Sequence, residues 1–166
     1  MRLLTLSTTL ALALVMALAS AVLAGNQRPY RANFTATAVN AEQRCGPNAL
    51  TLGFAISGTG THTGRFMATG SNCTEFTLLT EAVDIWDGII VLTAADGSTL
   101  TFSSMGSQDA PAGGTAVAHQ TLTVESGTGR FADADGVLDL TAVIDFTQIA
   151  NGIVTTSGTV TGWVSY

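Results

Sequence analysis

The chain has 166 residues, with six arginines, no lysine and twelve acidic residues, and its formal charge is −6. Charged residues make up only 11% of it, well under the roughly 25% of an ordinary globular protein. That balance excludes a nucleic-acid binder held by a basic patch, and a 46% hydrophobic content excludes intrinsic disorder.

Met1-Arg2 is a short positive start, and Leu3 to Leu23 is an apolar run broken only by Thr and Ser. The run ends in Val22-Leu23-Ala24 before Gly25. These features predict a secretory signal peptide over 1–24. A rival cleavage point follows Ala19-Ser20-Ala21, and an uncleaved anchor is the alternative, since about 20 apolar residues span a bilayer. Cleavage after Ala24 leaves 25–166 with a charge of −7 and no further run long enough for a spanning helix.

Residues 25–31 read as a flexible polar lead-in containing Pro29, followed by one domain over 32–166. From there the pattern has period two, the mark of a strand with one apolar face. Leu50, Leu52, Phe54 and Ile56 alternate with Thr51, Gly53, Ala55 and Ser57. Leu138, Leu140, Ala142, Ile144 and Phe146 do the same against Asp139, Thr141 and Asp145. The other predicted strands are 32–40, 61–69, 75–84, 88–93, 98–105, 116–126 and 153–166. Asp96-Gly97 marks a hairpin turn, and Ser107–Gly114 is the one plain loop. No stretch after residue 24 keeps a helical period for three turns. Nine strands with turns about ten residues apart predict an all-β domain. The sequential hairpin spacing favours a single antiparallel up-and-down barrel of eight or nine strands, which leaves no sheet edge exposed. Gly53, Ala55, Gly64, Ala68 and Gly162 would ease its curvature.

Two cysteines behind an export signal predict one disulfide, Cys45–Cys73. It closes a loop of about 29 residues, worth about 3.5 kcal/mol in the chain-entropy model. Two free thiols are the alternative; structural zinc lacks nearby ligands. Asn33-Phe34-Thr35 and Asn72-Cys73-Thr74 match the glycosylation sequon.

A short internal repeat stands out. Gly58-Thr59-Gly60 is followed by Gly64-Arg65-Phe66 and Gly70. About 65 residues later comes Gly127-Thr128-Gly129-Arg130-Phe131, then Gly136. The glycines permit positive φ at corners, and each Phe is placed to plug the end of a barrel. The Gly-Thr-Gly-Arg-Phe…Gly segment resembles a turn of the allene oxide cyclase and dirigent families. The resemblance rests on about ten residues and implies an eight-stranded barrel; it carries over no catalytic residue, since no position here matches those families' catalytic groups.

Candidate chemistry is sparse. Serine-nucleophile hydrolysis would need His62 or His119 as base, and no Gly-x-Ser-x-Gly elbow occurs. His119 shares a face with Val117, Thr121 and Thr123, where it either lines a cavity or sits on the surface. Asp133, Asp135 and Asp139 resemble part of a calcium loop without its terminal Glu, which fits a solvated turn equally. Glu81, Asp84 and Asp87 surround Trp86, but the parity of Glu81 and Asp84 sets them on opposite strand faces. Arg65 and Arg130 offer either an anion fork or ion pairs with the neighbouring aspartates. No cofactor is called for. The readings left open are an exported barrel holding a small hydrophobic ligand, a structural or adhesive exported domain, an outer-membrane barrel and a cyclase or isomerase. The oligomeric state has no signature.

Overall fold

Each apolar parity set needs an interior to face, and closing the sheet on itself provides one for all of them. The computed structural model describes residues 27–166; the proposed signal peptide and both cleavage points lie outside these. The strands are β1 (Arg28–Val39), β2 (Leu50–Gly60), β3 (Gly64–Thr74), β4 (Val83–Thr93), β5 (Thr99–Gln108), β6 (Thr115–Gly127), β7 (Asp135–Asp145) and β8 (Thr155–Ser165). Each pairs antiparallel with the next, and β8 pairs back onto β1, from Arg28 opposite Val164 to Thr37 opposite Thr155. The result is a closed eight-stranded barrel. Single 3-10 turns at Gly129–Phe131 and Ile149–Asn151 are the helical segments among the described residues.

Eight strands replace nine because two predicted ones differ. Residues 75–82 form a turn in which the Thr77 carbonyl accepts the N–H groups of Thr80 and Glu81. Residues 83–93 are one strand rather than the end of one and all of another. Its pairing shifts between Ile85 and Gly88, where Asp87 takes a left-handed φ of +50°. A bulge adds a residue and flips parity; the buried residues therefore change from odd (Val83, Ile85) to even (Gly88, Leu92). The segment read as a flexible lead-in also differs, since β1 starts at Arg28 and buries Tyr30.

The barrel is closely packed at the end that holds the β2–β3, β4–β5 and β6–β7 turns, where a void of only about 40 Å³ remains. Phe34, Phe66, Phe102, Leu100, Leu138 and Val164 meet there. Phe131, 1% exposed, closes that end, with the Tyr166 ring edge-on at 4.9 Å. The two Gly-Arg-Phe segments both open on a left-handed glycine, Gly64 at φ +63° and Gly129 at +61°. They then diverge: the first enters β3, the second makes the 3-10 turn. Gly58 is glycine for another reason, because a Cβ there would lie 2.5 Å from the Phe66 ring. The Asp96-Gly97 turn forms as the sequence predicts, with Gly97 at φ +86° and the Ser98 N–H donating to Asp96 Oδ1.

The outward parity mixes Thr and Ser, as in Thr155, Ser157, Thr159 and Thr161 of β8, with exposed apolar side chains such as Met67, Ile89, Met105 and Trp163, while the inward parity is mainly apolar. A transmembrane barrel alternates the other way, with apolar residues toward lipid and polar ones inside. Strands of 10–13 residues are long enough to cross a bilayer, so it is the alternation, and not strand length, that counts against the outer-membrane reading.

Candidate functional site

At the opposite end, under the β1–β2, β3–β4, β5–β6 and β7–β8 loops, the interior is not filled. A cavity of about 230 Å³ lies there. Its unusual feature is on β2: Leu50, Leu52, Phe54 and Ile56 all point inward and all line it, yet each is only half-buried. Comparable side chains at the packed end, such as Leu100 and Leu138, are fully buried. Large apolar side chains on an inward face stay accessible only where the barrel leaves space. Leu79 and Ile149 line the cavity while remaining 46% and 42% exposed, so they mark its mouth. Phe76 and Ile153, on the same two loops, are exposed beside them.

The two sides of the cavity differ in chemistry. From β1, β2, β7 and β8 it is lined by Phe34, Leu52, Leu140, Ile144 and their neighbours, with Thr156 the polar exception. From β3, β5 and β6 come Ser71, Asn72, Thr74, Ser104, Gln108 and Gln120, with the apolar Ile85 and Ile90 of β4 between them. No charged residue lines it. Gln108 Nε2 donates to the Leu78 carbonyl at 2.7 Å and ties β5 to the β3–β4 loop. Asn72 and Thr74 are 4% and 1% exposed, and Asn72 Oδ1 and Thr74 Oγ1 have no hydrogen-bond partner. A buried polar atom left unpaired costs about 1–3 kcal/mol, so these two oxygens call for a partner that the protein itself does not supply. Glu75 Oε2, on the next residue, is also unpaired but lies outside the cavity lining.

The cross-link sits at this end. Cys45, in the β1–β2 loop, is joined to Cys73 between Asn72 and Thr74, with Cα atoms 5.6 Å apart, inside the usual range for a disulfide. Cys73 takes the outward parity but is covered by the loop that the bond holds down. Arg44 adds to the clamp: it donates to the Ser71 carbonyl at 3.2 Å and to the carbonyl of Asp87 in the bulge.

The residues singled out from sequence lie elsewhere. His119 faces outward and meets Thr141 at 3.4 Å, so it lines no cavity; its neighbours Ala118 and Gln120 take the inward parity. His62 lies on the β2–β3 turn, within 3.1 Å of the Pro29 carbonyl and edge-on to Tyr166. Arg130 pairs with Asp96 at 3.1 Å and donates to the His62 carbonyl at 2.7 Å. Arg65 lies opposite Thr59 at the start of β3. Asp135 Oδ1 accepts the Gly136 N–H, while Asp139 stands opposite Thr121 and Thr161, and the described residues bring no metal-holding cluster together. Glu81 and Asp84 are exposed, and Trp86 is half-buried opposite Cys73. Of the two sequons, Asn33 is presented on the outer face and Asn72 is not.

The cavity's polar residues are not among those singled out from sequence, yet the strand patterns carry a signal for them. On β6 the inward series Ala116, Ala118, Leu122, Val124 is interrupted by Gln120, and on β5 Leu100 and Phe102 give way to Ser104. A polar residue at the apolar parity of a barrel strand marks either a partner or a ligand. No protein-family model, curated protein or solved structure matches the chain.

Proposed function

We propose that the chain is an exported binding barrel that holds one compact, mainly hydrocarbon molecule in its open half. The reading rests on the β2 series Leu50, Leu52, Phe54 and Ile56, inward-facing but not buried, around about 230 Å³ of space. An apolar cavity of about 150 Å³ suffices for benzene, and typical ligand pockets start near 300 Å³. The occupant is therefore a small molecule of one or two rings or a short chain. The exposed Phe76, Leu79, Ile149 and Ile153 give it an apolar approach. Export is supported by the disulfide, which persists in oxidising compartments. The closed eight-stranded barrel agrees with the fold implied by the allene oxide cyclase and dirigent resemblance. Binding is favoured over cyclase chemistry because no histidine or charged residue lines the cavity.

Titration with naphthalene, followed by methyl NMR, tests the proposal. Saturable shifts at Leu50, Leu52, Ile56 and Ile144 are expected. No shifts at the solubility limit, or shifts confined to surface methyls, would refute it.

A further inference from the structure

The ligand's polarity follows from the wall it must touch, and the argument rests on the cavity being a ligand site. We infer that the barrel selects an uncharged hydrocarbon bearing a hydroxyl group, held by Asn72 and Thr74 on β3. Both take the inward parity of β3, both line the cavity, and both carry an oxygen that is buried with no partner in the protein. The amide oxygen of Asn72 accepts only, so what it lacks is a donor. The Thr74 hydroxyl donates or accepts. A ligand hydroxyl answers both, donating to Asn72 Oδ1 while accepting from Thr74.

Charge narrows the class. No Arg lines the cavity, and an anion taken inside would be desolvated without a counter-charge. A cationic head group finds no carboxylate among the lining residues. Across the barrel from β3, Leu140, Ala142 and Ile144 of β7 offer no polar partner and take the hydrocarbon body. Size, apolar body and a single neutral hydroxyl together describe a small alcohol or phenol.

The test uses a matched series of probes, naphthalene, 2-naphthol and 2-naphthoate, with purified protein in isothermal titration calorimetry. The expected order is 2-naphthol first, ahead of naphthalene by about tenfold or more, because the hydroxyl relieves unpaired buried atoms. Thr74→Val keeps shape and removes the hydroxyl; Asn72→Leu removes the acceptor. Each should cut the preference for 2-naphthol over naphthalene to within about threefold. Thr74→Val alone decides the matter if Asn72→Leu does not fold. Equal binding of naphthalene and 2-naphthol, a preference that survives Thr74→Val, or tightest binding of 2-naphthoate would each overturn the inference and leave the apolar site standing. Failure of all three probes to bind would overturn the site itself.

Discussion

Removing the Cys45–Cys73 bond tests whether the cavity end is held by the cross-link or by its own packing. The bond spans 28 positions in sequence and pins the β1–β2 loop to the end of β3. In the chain-entropy model a closed loop of this size restricts the denatured ensemble by about 3.5 kcal/mol. For a domain of this length 1 kcal/mol shifts the melting temperature by about 3–4 °C, so Cys45→Ala/Cys73→Ala should melt about 12 °C lower. The mechanism makes a second, independent claim. If the bond acts on the unfolded chain, the variant's denatured state is more open, and its urea m-value should rise. Thermal melts and urea titrations of both proteins, with and without reductant, measure the two quantities. Reductant should bring the native protein close to the variant and leave the variant unmoved. A melting shift under about 3 °C would show that the loop is held unaided by Arg44 and by Gln43, whose Nε2 donates to the Ala49 carbonyl. A full shift with an unchanged m-value would refute the denatured-state account.

At the packed end, Phe131→Ala should cost about 3–5 kcal/mol in urea unfolding, since the ring is fully buried against Tyr166 and leaves a void the stiff barrel cannot close; a cost below about 1 kcal/mol would mean the plug is dispensable. Ala118→Leu, projecting into the cavity from β6, should abolish naphthalene binding with no loss of melting temperature. Overpacking and a lower melting temperature would show that the space is not free there. In acid, the Ser98 N–H holds the Asp96 carboxyl below its usual range, helped by Arg130, and the Thr147 hydroxyl and N–H do the same for Asp145. Depressed folded values give stability that is present above about pH 4 and lost as the pH falls through them, so Asp96→Asn with Asp145→Asn should flatten the acid limb of a stability–pH curve. In base, burial raises the Tyr30 hydroxyl above its ordinary value; stability is full below about pH 10 and falls above it. Tyr30→Phe should hold its melting temperature further into alkali than the native protein.

Most of the fold was legible because it is written locally. The alternation in Leu50–Ile56 and Leu138–Ile144 needs no partner to be recognised, and Asp96-Gly97 forms its turn from two residues alone. The errors occur where a local rule is suspended. Gly88 looks like a break between strands, but the bulge at Asp87 carries β4 through it with reversed parity. Pro29 looks like a flexible lead, yet Tyr30 finds a core partner in Thr63, 33 residues away, that no local pattern announces. The cavity is hidden for a different reason. Its walls obey the same alternation as the packed end, so Leu52 and Leu138 look alike in sequence. Whether an inward side chain meets another or meets space depends on what all eight strands contribute at one level of the barrel. Phe66, Phe102 and Phe131 supply bulk at one end; Ala36, Ala118 and Ala142 supply little toward the other. A barrel of fixed circumference filled by small residues at one level must be hollow there. Emptiness is thus a property of a layer drawn from strands far apart in the chain, whereas the polar residues bordering it, Asn72, Ser104 and Gln120, each break a pattern on their own strand. A break of that kind is visible in a single strand's residues, and all three breaks fall at the hollow end of the barrel.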